Sequence, residues 1–193
     1  MVGYSHTIEN TLRNLSKETK IDSFVETGTF QGKTIEIASK IFSNNCTIEL
    51  NNDLYLKAEI KFRNKNIKCF LGHSPVILKR LIKNFKVNSI FFLDAHWAGE
   101  LSSRYNEDTP LLEELEIIFS RVGKFEDVII IDDVSFMNKK GKYIFTKEMK
   151  SQYFPNGGKF EWDWTNVDKK AILKKFSGCK KVIEQEDRLI IYT

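Results

Sequence analysis

Short apolar runs alternate with longer amphipathic segments along most of this chain. The runs are apolar at consecutive positions and not at every second one, which is typical of strands buried on both faces of a parallel sheet. We therefore predict a core of parallel strands connected by helices. The predicted strands occupy residues 23–25, 46–50, 67–71, 89–94 and 128–132.

The segments around these runs carry apolar residues at helical spacing. In the first of them Ile8, Leu12 and Leu15 share one face, and Ser5 is a suitable N-cap. We expect this helix either to pack on the edge of the sheet or to join two subunits of a homodimer. The predicted helices occupy residues 4–19, 33–42, 54–63, 75–84 and 110–122.

The C-terminal part of the chain has a different pattern. Residues 166–177 have a helical pattern, and two further runs, 180–184 and 188–192, are close enough to form a β-hairpin. We predict an α/β fold, a Rossmann-like, doubly wound, mostly parallel seven-stranded sheet that ends in a C-terminal antiparallel hairpin. No linker interrupts the 193 residues, so we expect residues 1–193 to form a single domain, with residues 1–20 as its N-terminal helix.

Composition excludes several classes of protein. The apolar fraction of 41% and the charged fraction of 29% are ordinary for a globular protein. No membrane span or signal peptide is expected, which favours a cytoplasmic location. The three cysteines are widely spaced and contain no C-x-x-C, so neither a disulfide framework nor a zinc site is indicated. The net charge of +4 comes from scattered lysines, so we expect no nucleic-acid partner.

The turn after the first strand carries the clearest chemical signal. Gly28 and Gly32 follow Glu26 in SFVETGTFQG, and a helical pattern begins directly afterwards. A strand, a glycine turn and a helix form a nucleoside- or phosphate-binding corner, although a turn that merely needs glycine is the alternative. Glu49 ends the next strand, about 20 residues on, where an acid holds ribose hydroxyls. Because Glu26 would repel a pyrophosphate, a cationic nucleoside such as S-adenosylmethionine (SAM) fits better than a dinucleotide.

Four motifs occur in one order: VETGTFQG, IEL, GHS and LDAH. This order resembles the class I SAM-dependent methyltransferases, and the resemblance extends from Ser23 to the end of the chain. Asp94 after the fourth strand, with Asp132 and Asp133 after the fifth, is similar to the metal-dependent sugar O-methyltransferases of the macrocin O-methyltransferase type. The resemblance implies that these three aspartates hold a magnesium ion. A strand-end turn with one capping acid is the alternative for the aspartate pair.

The resemblance also implies where the cofactor binds. Glu26 and Gly28 would border the methionine part of SAM, Glu49 the ribose, and residues 72–74 the adenine. His73 departs from the family pattern, in which an acid often follows the glycine. The residues expected at the cofactor are Glu26, Thr27, Gly28, Thr29, Gly32, Glu49, Gly72, His73, Ser74 and Asp94.

Methyl transfer to a hydroxyl also requires a proton acceptor. His96, two residues after Asp94, is the best candidate for the general base, because imidazole accepts protons near pH 7. A histidine that only hydrogen-bonds to its loop or contacts a metal is the alternative. We expect Arg104 and Tyr105 on the following polar loop to touch substrate. The alternating aromatic residues at 160–164 indicate either a sugar-binding surface or an edge strand packed on the core.

The sequence thus predicts an enzyme, a SAM-dependent O-methyltransferase that acts, with metal assistance, on a hydroxyl of a sugar, a glycan or a small metabolite. The catalytic residues would be His96 and Asp94. Two alternatives are a nicotinamide-dependent oxidoreductase and a catalytically inactive binding module of the same fold.

Overall fold

A computed structural model describes residues 2–99, 102–149, 154 and 156–193 of the chain, with the side chains from residue 7 onward. The predicted N-cap Ser5 therefore lies outside the described side chains. None of the helices in the described ranges has both the length and the apolar character of a membrane span. The helices are α1 (Val2–Thr19), α2 (Lys33–Ala38), α3 (Asn52–Phe62), α4 (Ser74–Asn84), α5 (Leu111–Phe119) and α6 (Lys169–Lys175). The strands are β1 (Ser23–Thr27), β2 (Asn44–Glu49), β3 (Ile67–Leu71), β4 (Ile90–Leu93), β5 (Val128–Ile131), β6 (Lys140–Phe145), β7 (Gly158–Asp163), β8 (Lys181–Gln185) and β9 (Arg188–Tyr192).

Seven of these strands form one sheet in the order β3-β2-β1-β4-β5-β9-β8. Strands β1 to β5 are parallel, and β9 is antiparallel to β5 and to β8. The predicted fold class, with its C-terminal antiparallel hairpin, is confirmed. The strand order reverses between β1 and β4, which makes this edge the expected ligand site of a doubly wound sheet.

Neighbouring residues of each buried strand contribute to opposite faces of the sheet. Val25 packs in the core shared with α4, α5 and α6, whereas Phe24 packs in the core shared with α1, α2 and α3. Ile8 and Leu12 of α1 are fully buried in the second core. The N-terminal helix therefore packs on the sheet, which was one of its two predicted positions.

Strands β6 and β7 form a separate two-stranded sheet. An edge strand was one of the two predicted alternatives for residues 160–164, and β7 covers most of them, whereas β6 was not predicted. Tyr143 pairs with Phe160, and Gly141 pairs with Trp162. A Cβ at Gly141 would lie 2.5 Å from the Trp162 ring, so the indole can pack here because residue 141 has no side chain. Phe136, in the turn after β5, lies 5.1 Å from Trp162 between ring centroids and connects this hairpin to the edge where the parallel strands end.

Candidate active site

A cavity of about 390 Å³ lies at the carboxyl ends of the parallel strands. Its size falls within the range of small-molecule sites. Of the residues predicted at the cofactor, Thr27 and Gly32 do not line the cavity; Thr27 is fully buried behind it. Those that line it are Glu26, Gly28, Thr29, Glu49, Gly72, His73, Ser74 and Asp94.

Gly28 allows the first turn to lie directly on the end of β4. Its φ of +83° lies in the left-handed region, which favours glycine. A Cβ there would be 2.5 Å from the backbone oxygen of Asp94. The Gly28 N–H donates to the carbonyl of Ile48 at 2.9 Å. This turn therefore brings the ends of β1, β2 and β4 together at one corner of the cavity.

Glu26 lies at the floor of this corner and is only 2% exposed. The Thr47 hydroxyl donates to Glu26 Oε2 at 2.5 Å, and the hydroxyls of Thr47 and Thr29 are 2.6 Å apart. Burial raises the pKa of Glu26 well above its usual value, although the hydrogen bond from Thr47 opposes the shift. A cation bound close to Glu26 would favour the ionised form of its carboxyl group.

Glu49 is fixed at the end of β2 by two backbone donors. The N–H of Phe30 donates to Oε2 and the N–H of Asn51 donates to Oε1, both at 2.8 Å. The carboxylate is 7% exposed and lines the cavity. Because each oxygen has a second lone pair, the fixed carboxylate can still accept bonds from a ligand with two hydroxyls.

The far end of the cavity is formed where β3 meets α4. Ser74 begins α4, and its hydroxyl donates to the buried carboxyl group of Glu114 on α5. Burial raises the pKa of Glu114 to about 7, although the hydrogen bond from Ser74 opposes the shift. The ring of His73 stacks on that of Tyr105 from the loop after β4, with centroids 4.3 Å apart.

His96 lies between the two aspartates that follow β4 and β5. Its Nδ1 is 3.4 Å from Asp94 Oδ1, and its Nε2 is 3.3 Å from Asp133 Oδ2. Burial alone would lower the pKa of His96, but the contact with Asp94 and the charges of Asp133 and Asp94 outweigh it and raise the pKa to about 9. One donor atom each from Asp94, His96 and Asp133 lies within 4.8 Å of the other two. The set fits a divalent cation.

Asp132 lines the cavity beside Asp133, but its carboxylate has a different partner. Its Oδ1 forms an ion pair with Arg188 Nε at 3.1 Å, and both side chains are 4% exposed. The same Oδ1 accepts the Asp133 N–H at 3.2 Å. Asp133 has a φ of +55°, so the chain turns sharply here and separates the two carboxylates. Of the three aspartates predicted to hold a metal, the structure brings Asp94 and Asp133 together with His96.

The loop after β4 covers one side of the cavity. Trp97 lines the cavity, and the Arg104 guanidinium lies 4.3 Å from the centroid of its ring. Arg104 also pairs with Asp108 at 2.7 Å, and Asp108 accepts the backbone N–H of Asp163 at the end of β7. These contacts tie the loop to the separate hairpin. Of the two loop residues expected to touch substrate, Tyr105 lines the cavity, whereas Arg104 supports Trp97.

Sequence reasoning missed three residues that support the site. Thr47 holds Glu26, Glu114 holds Ser74, and Arg188 holds Asp132. Glu114 and Arg188 could not be found from local pattern, since each acts on a residue far away in the chain. Thr47 alone gave a signal, because it is a polar residue inside the apolar run CTIEL.

At the level of sequence, no protein-family model and no curated protein matches the chain. Solved structures do match over nearly its whole length. An O-methyltransferase from Bacillus cereus in complex with S-adenosylhomocysteine (SAH) is 15% identical, with a TM-score of 0.58, over 97% of this chain and 81% of the other. The O-methyltransferase TomG from Streptomyces achromogenes, involved in tomaymycin synthesis and in complex with SAM, is 14% identical, with a TM-score of 0.59, over 96% and 79%.

A third match is the SAH-bound methyltransferase PaMTH1 from Podospora anserina, 13% identical with a TM-score of 0.56, over 95% of this chain and 76% of the other. At these identities the likeness concerns the fold. The chain has the fold of the class I SAM-dependent methyltransferases, and the resemblance noted in the sequence is confirmed at that level.

Proposed function

We propose that this protein is a SAM-dependent O-methyltransferase whose acceptor is a hydroxyl of a sugar, a glycan or a small metabolite. The observation that carries the proposal is that the Gly28 turn and the fixed carboxylate of Glu49 face one cavity at the point where the strand order reverses. The similar structures that hold SAM or SAH support it. The resemblance to the macrocin type supports a sugar hydroxyl, and we extend the proposal to one catalytic domain working in the cytoplasm.

The charge of the cavity favours a cationic cofactor. Among the described residues that line it, Lys33 is the only lysine or arginine. Carboxyl groups around a concave site attract cations and repel a pyrophosphate, so SAM fits better than a nicotinamide dinucleotide. The lining carboxyl groups belong to Glu26, Glu49, Asp94, Glu107, Asp108, Glu113, Asp132 and Asp133.

Methyl transfer from a sulfonium requires orientation more than covalent chemistry by the protein. We assign the ribose to Glu49, the methionine end to Glu26 and Gly28, and the adenine to residues 72–74. The methyl group would then face the region of Asp94 and His96, where the acceptor binds. The loop side chains Trp97 and Tyr105 line the same cavity and would exclude water from it.

A divalent ion fits the residues beyond the cofactor. Asp94 and Asp133 supply carboxylate oxygens close together, and hard divalent ions prefer such ligands. When bound, an ion at this place would lower the pKa of an acceptor hydroxyl and orient it. Both ring nitrogens of His96 face carboxylates, which favours the ring with a proton on each nitrogen. His96 can accept the acceptor's proton only after this form has lost one of its two N–H protons.

Calorimetric titration tests the proposal. We expect SAM and SAH to bind and NAD to show no binding under the same conditions. Glu49→Ala should weaken SAM binding by roughly 1.5 to 3 kcal/mol, the range for a hydrogen bond to a charged group. Glu107→Ala, at another lining carboxylate, serves as the matched control and should change SAM affinity much less. Binding of NAD without binding of SAM would overturn the proposal in favour of an oxidoreductase.

SAM binding without turnover would instead indicate an inactive binding module. Labelled SAM incubated with candidate cell-envelope glycans separates that case from an active enzyme. Transfer of label into a glycan would also identify the class of acceptor.

A further inference from the structure

We propose that His96, and not Asp132, completes the ligand set with Asp94 and Asp133, and that the site therefore selects a transition-metal ion of the Mn²⁺ or Zn²⁺ type over Mg²⁺. This inference deepens the proposed function, on which the role of the ion rests. It differs from the three-aspartate magnesium site that the sequence resemblance implies.

The first argument is the arrangement of donor atoms. One donor atom each from Asp94, His96 and Asp133 lies within 4.8 Å of the other two. The contacts of 3.3 Å to Asp133 and 3.4 Å to Asp94 use opposite nitrogens of the His96 ring, and only one of these nitrogens can bind a given ion. Adjacent ligands of a six-coordinate ion lie about 3 Å apart when the bonds to the ion are about 2.1 Å long. The three side chains are only partly buried, so an ion can reach them from the cavity, and rotation of the two carboxylates toward one ring nitrogen would bring one donor from each residue to a common ion.

The second argument is that the carboxylate of Asp132 already forms a buried ion pair. Its carboxylate pairs with Arg188 in a nearly dry environment, since each side chain is 4% exposed. Moving Asp132 toward an ion would remove the buried carboxylate partner of Arg188 and leave it the more exposed Glu186, which bonds to Nη1 at 2.9 Å; losing the buried partner is unfavourable. Asp132 also accepts the backbone N–H of Asp133, and so holds the turn that directs Asp133 to the cavity. Asp132 is therefore a positioning residue for the ion site.

The third argument is that the imidazole ring is held in place by its neighbours. The rings of Trp164 and Phe136 pack edge-on against His96, with centroid separations of 5.8 and 6.5 Å. A ring fixed beside two carboxylates provides a nitrogen ligand, which suits Mn²⁺, Fe²⁺, Co²⁺ and Zn²⁺, whereas Mg²⁺ prefers oxygen ligands only. A ring that binds the ion cannot also be the general base, so this assignment replaces the base role predicted for His96.

Pulsed electron paramagnetic resonance of Mn²⁺ bound to the SAM-free protein tests the inference directly. We expect nitrogen coupling from a coordinated imidazole, and we expect Mn²⁺ to bind at least about tenfold more tightly than Mg²⁺ in competition. His96→Gln should abolish the nitrogen coupling and weaken Mn²⁺ binding by at least about tenfold, the lower end of the effect known for ligand-supporting residues. Asp132→Asn keeps the size of the side chain and should retain the coupling.

Bound Mn²⁺ without nitrogen coupling in the unaltered protein would overturn the inference, as would loss of coupling in Asp132→Asn but not in His96→Gln. Absence of any Mn²⁺ binding would also overturn it and would indicate that the imidazole itself is the cation between the aspartates. SAH binding, measured separately by calorimetry, distinguishes these outcomes from failure of the proposed function. A protein that binds Mn²⁺ through His96 but neither SAM nor SAH would refute the proposed function alone.

Discussion

The ring of Tyr105 stacks on the ring of His73, at the end of the cavity where we place the adenine. With 4.3 Å between the centroids, the two rings are in contact and leave no room for a third ring between them. Tyr105 is nevertheless 59% exposed and belongs to a loop. An adenine can therefore stack on this face of His73 only if Tyr105 moves aside.

Replacing Tyr105 should consequently change how fast SAM binds. Tyr105→Ala removes the covering ring, so we expect a faster association rate for SAM in stopped-flow fluorescence. Tyr105→Phe retains the stacked ring and serves as the matched control, with a rate close to that of the unaltered protein. Equal association rates in all three proteins would show that Tyr105 does not limit access.

The close approach of Gly28 to Asp94 predicts a large effect of one added methyl group. Gly28→Ala combines an unfavourable positive φ with a contact of 2.5 Å to backbone. Gly123 provides the control, because its φ is +76° but a Cβ there would meet nothing within 4 Å. Gly123→Ala should cost about 1 kcal/mol from the backbone alone. Gly28→Ala should cost clearly more and should also abolish SAM binding, as urea unfolding and calorimetry would measure. Equal losses of stability would remove the steric argument.

The parallel sheet could be predicted from the sequence because short local runs of apolar residues mark its strands. Runs such as 90–93 and 128–131 are apolar at consecutive positions, which is typical of strands buried on both faces. Strand β7 was predicted only as one of two alternatives, and β6 was not predicted, because one face of their hairpin is solvated. Its lysines and acids interrupt the aromatic residues that pair across the strands, as Tyr143 does with Phe160.

The candidate site was predictable only in part, for a related physical reason. Strand ends mark where Glu26, Glu49 and Asp94 must meet, because parallel strands end at one edge of the sheet. The partner of each side chain is decided by tertiary packing instead. Asp132 and Asp133 are equivalent in sequence, and only the distant Arg188 at the start of β9 separates their roles.

Glu114 predicts a specific dependence of stability on pH. Its pKa is about 7 in the folded protein, against an ordinary value of 4.5, so the folded state binds the proton more tightly. The associated stability is fully present below pH 4.5 and is lost as the pH rises through about 7. At about 1.4 kcal/mol for each pKa unit, the loss amounts to roughly 3 kcal/mol. Glu26, whose pKa is also raised, contributes with the same sign.

Glu114→Gln isolates this contribution, because the amide oxygen can still accept the hydrogen bond from Ser74. We expect the variant to lose less stability than the unaltered protein between pH 4.5 and 7.5 in urea unfolding. Glu113→Gln, at the exposed neighbouring position of α5, should change the pH profile only slightly, because the charge of Glu113 is a minor cause of the raised pKa of Glu114. Identical profiles for the Glu114 variant and the unaltered protein would show that Glu114 does not bind its proton more tightly on folding.

Removal of the ion should separate cofactor binding from methyl transfer. Glu49, to which we assign the ribose, is held by the N–H groups of Phe30 and Asn51, and none of these groups belongs to the proposed ion site. The acceptor hydroxyl, in contrast, would be oriented and acidified at Asp94 and Asp133. Chelation should therefore abolish transfer to an acceptor found with labelled SAM, while SAM affinity measured by calorimetry stays nearly unchanged. Full transfer in chelator would exclude the ion from the reaction, and the proton of the acceptor would then have to pass to one of the aspartates or to water.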